Sequence, residues 1–198
     1  MKYAIYGGSF DPIHIGHITM AECAVSELSL ERLIFVPAHI SPFKQDVNVL
    51  DSADRINMIK SCLHYNSAFE VSTYETEKHI TSYTINTLEY FDKTIDGMMY
   101  FLVGADSIMT MESWHRGPEI LSKYKIAVSE RNSITTQGFD KQIEYLKRKY
   151  NTDIYFLKMK PIDISSTDIR NRIKRGESID GMLKPEVEKY IFEKSLYR

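Results

Sequence analysis

Tyr3-Ala4-Ile5-Tyr6-Gly7-Gly8-Ser9-Phe10-Asp11-Pro12-Ile13-His14-Ile15-Gly16-His17 decides the fold of this chain. Residues 3 to 6 form a run without a charged or strongly polar side chain, the pattern of a strand buried on both faces of a parallel sheet. Gly7 and Gly8 end it and, lacking Cβ atoms, let the backbone turn sharply and a ligand approach closely. Asp11-Pro12 prolongs the loop, because proline drives the preceding residue away from helical dihedrals. From Ile18 onward, Ala21, Val25 and Leu28 recur at three or four residues, which is helical spacing. His14 and His17 therefore stand at a strand-loop-helix junction, where first-turn N–H groups lack partners and the helix dipole attracts anions. A single histidine there is more simply a cap, and a metal pair lacks a third ligand nearby. The whole string favours an anion site.

Composition bounds the alternatives. A chain of 198 residues suits one α/β domain with a sizeable core. A formal net charge of -2 argues against a broad nucleic-acid or membrane surface. Cys23 and Cys62 form no CxxC or zinc pattern. The start shows no charged-then-apolar leader, and no stretch reaches the roughly 18 apolar residues of a span. The expectation is a cytoplasmic protein with reduced thiols.

Working outward, Leu33-Ile34-Phe35-Val36 reads as a second buried strand closed by Pro37, followed by a long loop through Lys44. Asp51 or Ser52 caps a helix to Leu63 carrying Ile56, Ile59 and Leu63 on one face, and Phe69 to Ser72 alternates like a strand. A helix follows near Ser82-Tyr83-Thr84, with Ile85, Leu88 and Phe91 inward; spacing alone makes Ser82 and Thr84 caps. Met99 to Val103 is another buried strand. Gly104-Ala105-Asp106-Ser107 stands at its carboxyl end, where open parallel sheets bind ligands, and Asp106 by itself reads equally as a cap. Trp114, the only tryptophan, sits in a polar loop, whereas core tryptophans usually lie in apolar runs. Lys125 to Val128 and Ile154 to Leu157 are further strands, with a helix from Phe139 to Tyr150 between them. Ser165 or Ser166 caps a helix to Arg175 that Gly176 closes, and Arg170 lies one turn in, beside the cap. Hydroxyls, unpaired N–H groups and a guanidinium in one place suit a polyphosphate. Pro185 starts a terminal helix expected as a lid on the fold's edge.

These elements predict an α/β fold: a doubly wound, Rossmann-like parallel sheet with helices on both faces. It forms one domain over 1–198, with 161–198 as a C-terminal helical subregion. G-x-G-x-x-G and Walker A patterns are absent, which removes support for hydride transfer and P-loop hydrolysis.

Gly8 to His17 resembles the G-[ST]-F-D-P-x-H-x-G-H signature of the HxGH nucleotidyltransferase superfamily. From Met1 to Arg198 the chain is similar to the bacterial nicotinate-nucleotide adenylyltransferases. Ile164-Ser165-Ser166-Thr167-Asp168-Ile169-Arg170 resembles the family's I-S-S-T-x-I-R motif, Ser82-Tyr83-Thr84 with Thr87-Leu88 its S-Y-T-x-x-T-[LV] segment, and Trp114-His115 its W-[YH] pair. The resemblance implies transfer of an adenylyl group from ATP, with Mg2+, to nicotinate mononucleotide in NAD biosynthesis. It implies direct in-line attack, no covalent intermediate and no metal site of the protein's own.

By the same resemblance, His14, His17, Lys44 and Arg170 are catalytic. Gly7, Gly8, Ser9, Phe10, Gly104, Asp106, Ile164, Ser166 and Thr167 join His14, His17 and Arg170 around ATP. Ser9, Lys44, Ser82, Tyr83, Thr84, Trp114, His115 and Arg131 receive the mononucleotide, the indole stacking on the pyridine ring and the helix start facing its carboxylate. The chain departs from the pattern at Phe43, where the family often has His, and at Glu130-Arg131-Asn132-Ser133, where it often has two basic residues and Pro-Gly. Expected partners are small molecules, with no nucleic acid and no membrane; homo-oligomerisation stays open. Rival readings are another acceptor, nicotinamide mononucleotide or phosphopantetheine, and a nucleotide sensor without turnover.

Overall fold

The structure is a computed structural model that describes residues 1–39, 49–78, 81–129, 136–160 and 162–198, with backbone alone at 136–137. Its sheet has six parallel strands in the order β3-β2-β1-β4-β5-β6. The strands are β1 (Lys2–Gly8), β2 (Arg32–Pro37), β3 (Phe69–Val71), β4 (Met98–Gly104), β5 (Lys125–Ser129) and β6 (Ile154–Leu157). The order reverses between β1 and β4, and a crevice opens beyond the carboxyl ends at such a switch point.

Alternation along each strand makes two cores. Ala4 and Tyr6 of β1, Leu33 and Phe35 of β2, and Tyr100 and Leu102 of β4 face one layer, completed by residues of α1 (Ile15–Leu28), α2 (Ser52–Leu63), α8 (Ser166–Arg175) and α9 (Pro185–Glu193). Tyr3, Ile5, Ile34, Val36, Phe101 and Val103 face the other, packed by α4 (Thr84–Thr94), α5 (Ala105–Thr110), α6 (Gly117–Lys123) and α7 (Thr136–Tyr150). A strand buried on both faces reads as a continuous apolar run, which is why these strands show no polar alternation.

Asp51 caps α2, its carboxylate accepting from the Ala53 N–H at 2.7 Å. Ser165, rather than Ser166, caps α8 by accepting from the Asp168 N–H at 3.1 Å, and Gly176 closes that helix at φ 68°. Three expectations are corrected. Tyr83 is the N-cap of α4 and makes no side-chain cap bond, so Ser82 and Thr84 do not cap it. Gly104, not Asp106, is the N-cap of α5. α9 is not an edge lid: Val187 and Ile191 are buried in the layer that holds Met58 and Cys62 of α2, and the Tyr190 hydroxyl donates to Asp54 at 2.8 Å. Its apolar stripe had a helix to cover rather than an opening. A one-turn helix, α3 (Tyr74–Glu77), precedes α4 and is too short for a periodic signal.

Candidate active site

The crevice at the switch point is a cavity of ≈ 440 Å³. That is within the roughly 300–1,000 Å³ of ordinary small-molecule sites. One wall is the loop after β1. Phe10, at φ 47°, turns its ring into the core against Tyr6 and Phe35, with centroids 5.4 and 5.6 Å away. A left-handed conformation at a non-glycine residue costs on the order of 1–3 kcal/mol. Burying a phenylalanine stabilises by more, since truncating one costs about 3–5 kcal/mol, so packing wins and the loop is fixed.

The loop's carbonyls are held by side chains from elsewhere. Ser9 O accepts from Arg55 Nη1 at 2.7 Å, Asp11 O from Arg170 Nη1 at 2.7 Å, and Pro12 O from Ser166 Oγ at 2.9 Å. The Asp11 carboxylate is 2 % exposed, accepts from the Tyr197 hydroxyl at 2.7 Å and stands 3.7 Å from Arg170 Nη1. Burial first, and then the Asp11 charge, push the Tyr197 phenol far above its ordinary range.

His14 starts α1 and is buried, and His17 lies over it with ring centroids 3.7 Å apart. Gly16 makes room for this, because a Cβ there would meet the His14 ring at 3.1 Å. The His14 N–H donates to His17 Nδ1 at 3.2 Å. Geometry therefore assigns Nδ1 of His17 as the acceptor, which in the neutral ring leaves the proton on Nε2 as a donor. Both histidines line the cavity, together with Gly7, Gly8 and Ser9.

The opposite wall comes from β4, α4 and the segment after α5. Gly104, Asp106, Trp114 and Thr84 line it. The Trp114 indole donates to Thr110 Oγ1 at 3.2 Å and meets Phe101 edge-on, with centroids 6.4 Å apart. Ser82 also lines the cavity, but its hydroxyl is engaged: it accepts from the His39 N–H at 2.9 Å and is bonded to the Glu75 carboxyl. Glu75, 8 % exposed, also accepts from the Thr87 hydroxyl. Desolvation raises its pKa, against the opposing pull of Ser82, Thr87 and the Arg55 charge.

The structure thus gathers at one cavity Gly7, Gly8, Ser9, His14 and His17 from the first motif, Ile164 from the second, and Ser82, Thr84, Gly104, Asp106 and Trp114 between them. Phe10 is in the core instead. Ser166 and Arg170 hold the loop from outside the lining, and Thr167 bonds Arg170 at 3.3 Å. Tyr83 and His115 pair ring to ring, with centroids 4.3 Å apart, and neither is among the lining residues. Lys44 and Arg131, like Phe43 and Glu130, lie outside the described residues. Among the described residues no group of three or more His, Cys, Asp or Glu converges as a metal cage, and no helix is long and apolar enough to cross a membrane.

Sequence reasoning missed Arg55, Glu75 and Tyr197. Arg55 alone carried a signal: it shares the α2 face of Met58, Ile59 and Cys62, and an arginine on a buried stripe must be paired there.

Residues 5–172 match the cytidylyltransferase-like family. A probable nicotinate-nucleotide adenylyltransferase of Clostridium botulinum is 41% identical over 197 residues, spanning 100% of this chain and 98% of that one. The protein of the same name in Caldicellulosiruptor bescii is 40% identical over 200 residues and covers 100% of both chains. Among solved structures, the Plasmodium falciparum nicotinic acid mononucleotide adenylyltransferase complexed with NaAD overlays with a TM-score of 0.80, covering 99% of this chain and 97% of that one. At 21% identity that likeness is one of fold.

Proposed function

We propose, from the premise that this chain belongs to the cytidylyltransferase-like family and within it to the nicotinate-nucleotide adenylyltransferases, that it transfers the adenylyl group of ATP to nicotinate mononucleotide. A phosphate oxygen of the mononucleotide attacks the α-phosphorus of ATP, forming the new O–P bond. The bond from that phosphorus to the bridging oxygen breaks, and pyrophosphate leaves with the electron pair. The products are nicotinate adenine dinucleotide and pyrophosphate, and no protein nucleophile is required.

The observation that carries this reading is the stacked His14–His17 pair beside Gly7, Gly8 and Ser9 at the switch-point cavity. Such transfers depend on positioning and on donors aimed where charge develops. The Nε2–H of His17 and the His14 ring are the donors, with Lys44 and Arg170 supplying positive charge, Thr167 placing Arg170 and Ser166 holding the Pro12 carbonyl. Asp106 takes the ribose side. Ser9, the α4 start at Ser82 to Thr84, Trp114, His115 and Arg131 serve the acceptor. Magnesium enters with ATP, since this ion is held mostly by substrate phosphates and waters and needs no protein cage. The single domain over 1–198, with its C-terminal helices carrying the second motif, acts on small molecules in the cytoplasm.

The test is pyrophosphate release with ATP and magnesium, offering nicotinate and nicotinamide mononucleotides in parallel. A strong preference for the nicotinate form is the expected result. Equal rates would remove the carboxylate recognition, and no release with either would remove the reaction.

A further inference from the structure

Arg55 is a fully buried arginine, 2 % exposed, in a helix that contributes no residue to the cavity lining. Its guanidinium donates in three directions: Nε to Leu50 O at 2.9 Å, Nη1 to Ser9 O at 2.7 Å and Nη2 to Ala38 O at 2.7 Å. Ser9 and Ala38 are both cavity-lining, one from the loop after β1 and the other from the loop after β2. Ala38 N–H further donates to Gly8 O at 2.9 Å, so the two loops touch directly where the guanidinium spans them. Next to Ala38, the His39 N–H donates to Ser82, which carries the linkage to the opposite wall.

An unpaired guanidinium does not persist in such a place, since burying a charge without partners is far costlier than any local packing gain. Here burial pulls its pKa down, and the Asp11 carboxylate is the largest charge opposing that. Three carbonyl acceptors and a nearby buried carboxylate make a completed site, one that only a planar fork of donors can fill. The geometry points to Arg55 as a positioning residue of the adenylyl transfer: it fixes the spacing between the β1 loop and the β2 loop, and through them the cavity walls on which the reactants sit. Its effect on the reaction passes through Ser9, Ala38 and His39, and it touches no reactant itself.

This inference rests on the proposed reaction, and the experiment separates the two. Arg55→Lys keeps the charge and stem but offers one nitrogen where three directions are needed. Met58→Ala, on the same buried face of α2, loses packing but none of the hydrogen bonds to Ser9 and Ala38. Thermal midpoints are measured first, and both variants are then assayed at a temperature where circular dichroism shows them folded. Readouts are kcat, KM for nicotinate mononucleotide, and the Kd of ATP by calorimetry.

Removal of a positioning group far from the chemistry costs on the order of 10²-fold in rate. Arg55→Lys should accordingly lose about ten- to a hundredfold in kcat and raise both KM and the ATP Kd, while Met58→Ala alters the midpoint and leaves all three near wild type. Overturning results are an Arg55→Lys variant with wild-type constants, or a Met58→Ala variant with the same losses. A wild type that binds ATP but releases no pyrophosphate breaks the proposed reaction instead. Arg55 is then decided by the ATP affinities alone, with weakening only in Arg55→Lys supporting its role and unchanged affinity ending it.

Discussion

The two walls of the cavity are built to opposite standards. After β1, residues 10–14 are all buried, and the carbonyls of Ser9, Asp11 and Pro12 are each held by a side chain from α2 or α8. After β4, the chain passes through α5 to a half-buried Trp114 and an exposed His115. Arg116 follows at φ 54°, pinned by Glu89 and Glu119 at 2.7 Å each. Exposed ion pairs of this kind hold weakly and are screened by salt. On the proposed function, the difference separates two tasks. Charge developing on phosphates is best met by donors fixed in advance, because reorganisation at the moment of reaction would forfeit their advantage. A flat ring is met by an aromatic face, which tolerates small displacements. The first wall is accordingly the one in which single changes should be most damaging.

The sharpest way to break the comparison is at His14. His14→Ala removes a buried ring from the fixed wall, and loss of one positioned donor costs about 10²–10³-fold in kcat. We expect a fall of ~10²-fold or more with the circular dichroism spectrum unchanged; a near-normal rate would falsify the assignment of His14 to the chemistry. A smaller effect belongs to the other wall. Trp114→Ala loses a stacking face worth roughly 1 kcal/mol beyond its area. That converts to about a fivefold rise in KM for the mononucleotide, with kcat changed less. If kcat fell as far as in His14→Ala and KM stayed put, the division of labour between the walls would collapse.

Much of this architecture could be read from the residues. The strand Ile154–Leu157 and the helices Ser52–Leu63 and Pro185–Glu193 begin where their caps, apolar runs and Pro185 say they should. A buried strand and a capped amphipathic helix are local patterns, and local patterns survive in sequence. What connects them was not legible. That Ser82 bonds His39 and Glu75 instead of capping α4, that Ser166 holds Pro12, and that Tyr197 reaches Asp11 across 186 residues of chain all depend on where separated segments meet. The first motif announced a site at the strand-loop-helix junction, but nothing in it announced that its carbonyls would be held from α2. An arginine among Met58, Ile59 and Cys62 was the trace of that arrangement.

The mildest expected effect concerns the two ionisable groups buried at the cavity. Behind the fixed wall lies the cation Arg55; the acid Glu75, bonded to Ser82 and Thr87, is part of the cavity lining itself. Desolvation raises the Glu75 pKa above the ordinary 4.5, so the folded state holds this proton more tightly than the unfolded chain. The stability this adds is complete below the unfolded value and is lost as pH rises through the folded one. Wild type should therefore lose stability relative to Glu75→Gln as pH climbs from about 4.5 toward neutrality, because the amide is uncharged throughout. Other titrating groups are common to both proteins and cancel in the difference. Urea midpoints of the two, taken at several pH values across that window, give the answer. Parallel curves would mean that Glu75 titrates as it does in the unfolded chain, and that Ser82, Thr87 and the Arg55 charge offset its burial completely. A gap that widens with pH would show that the wall of Ser82 and Trp114 carries a buried acid at a cost to the fold, in contrast to the carbonyl-satisfied arginine beneath the loop after β1.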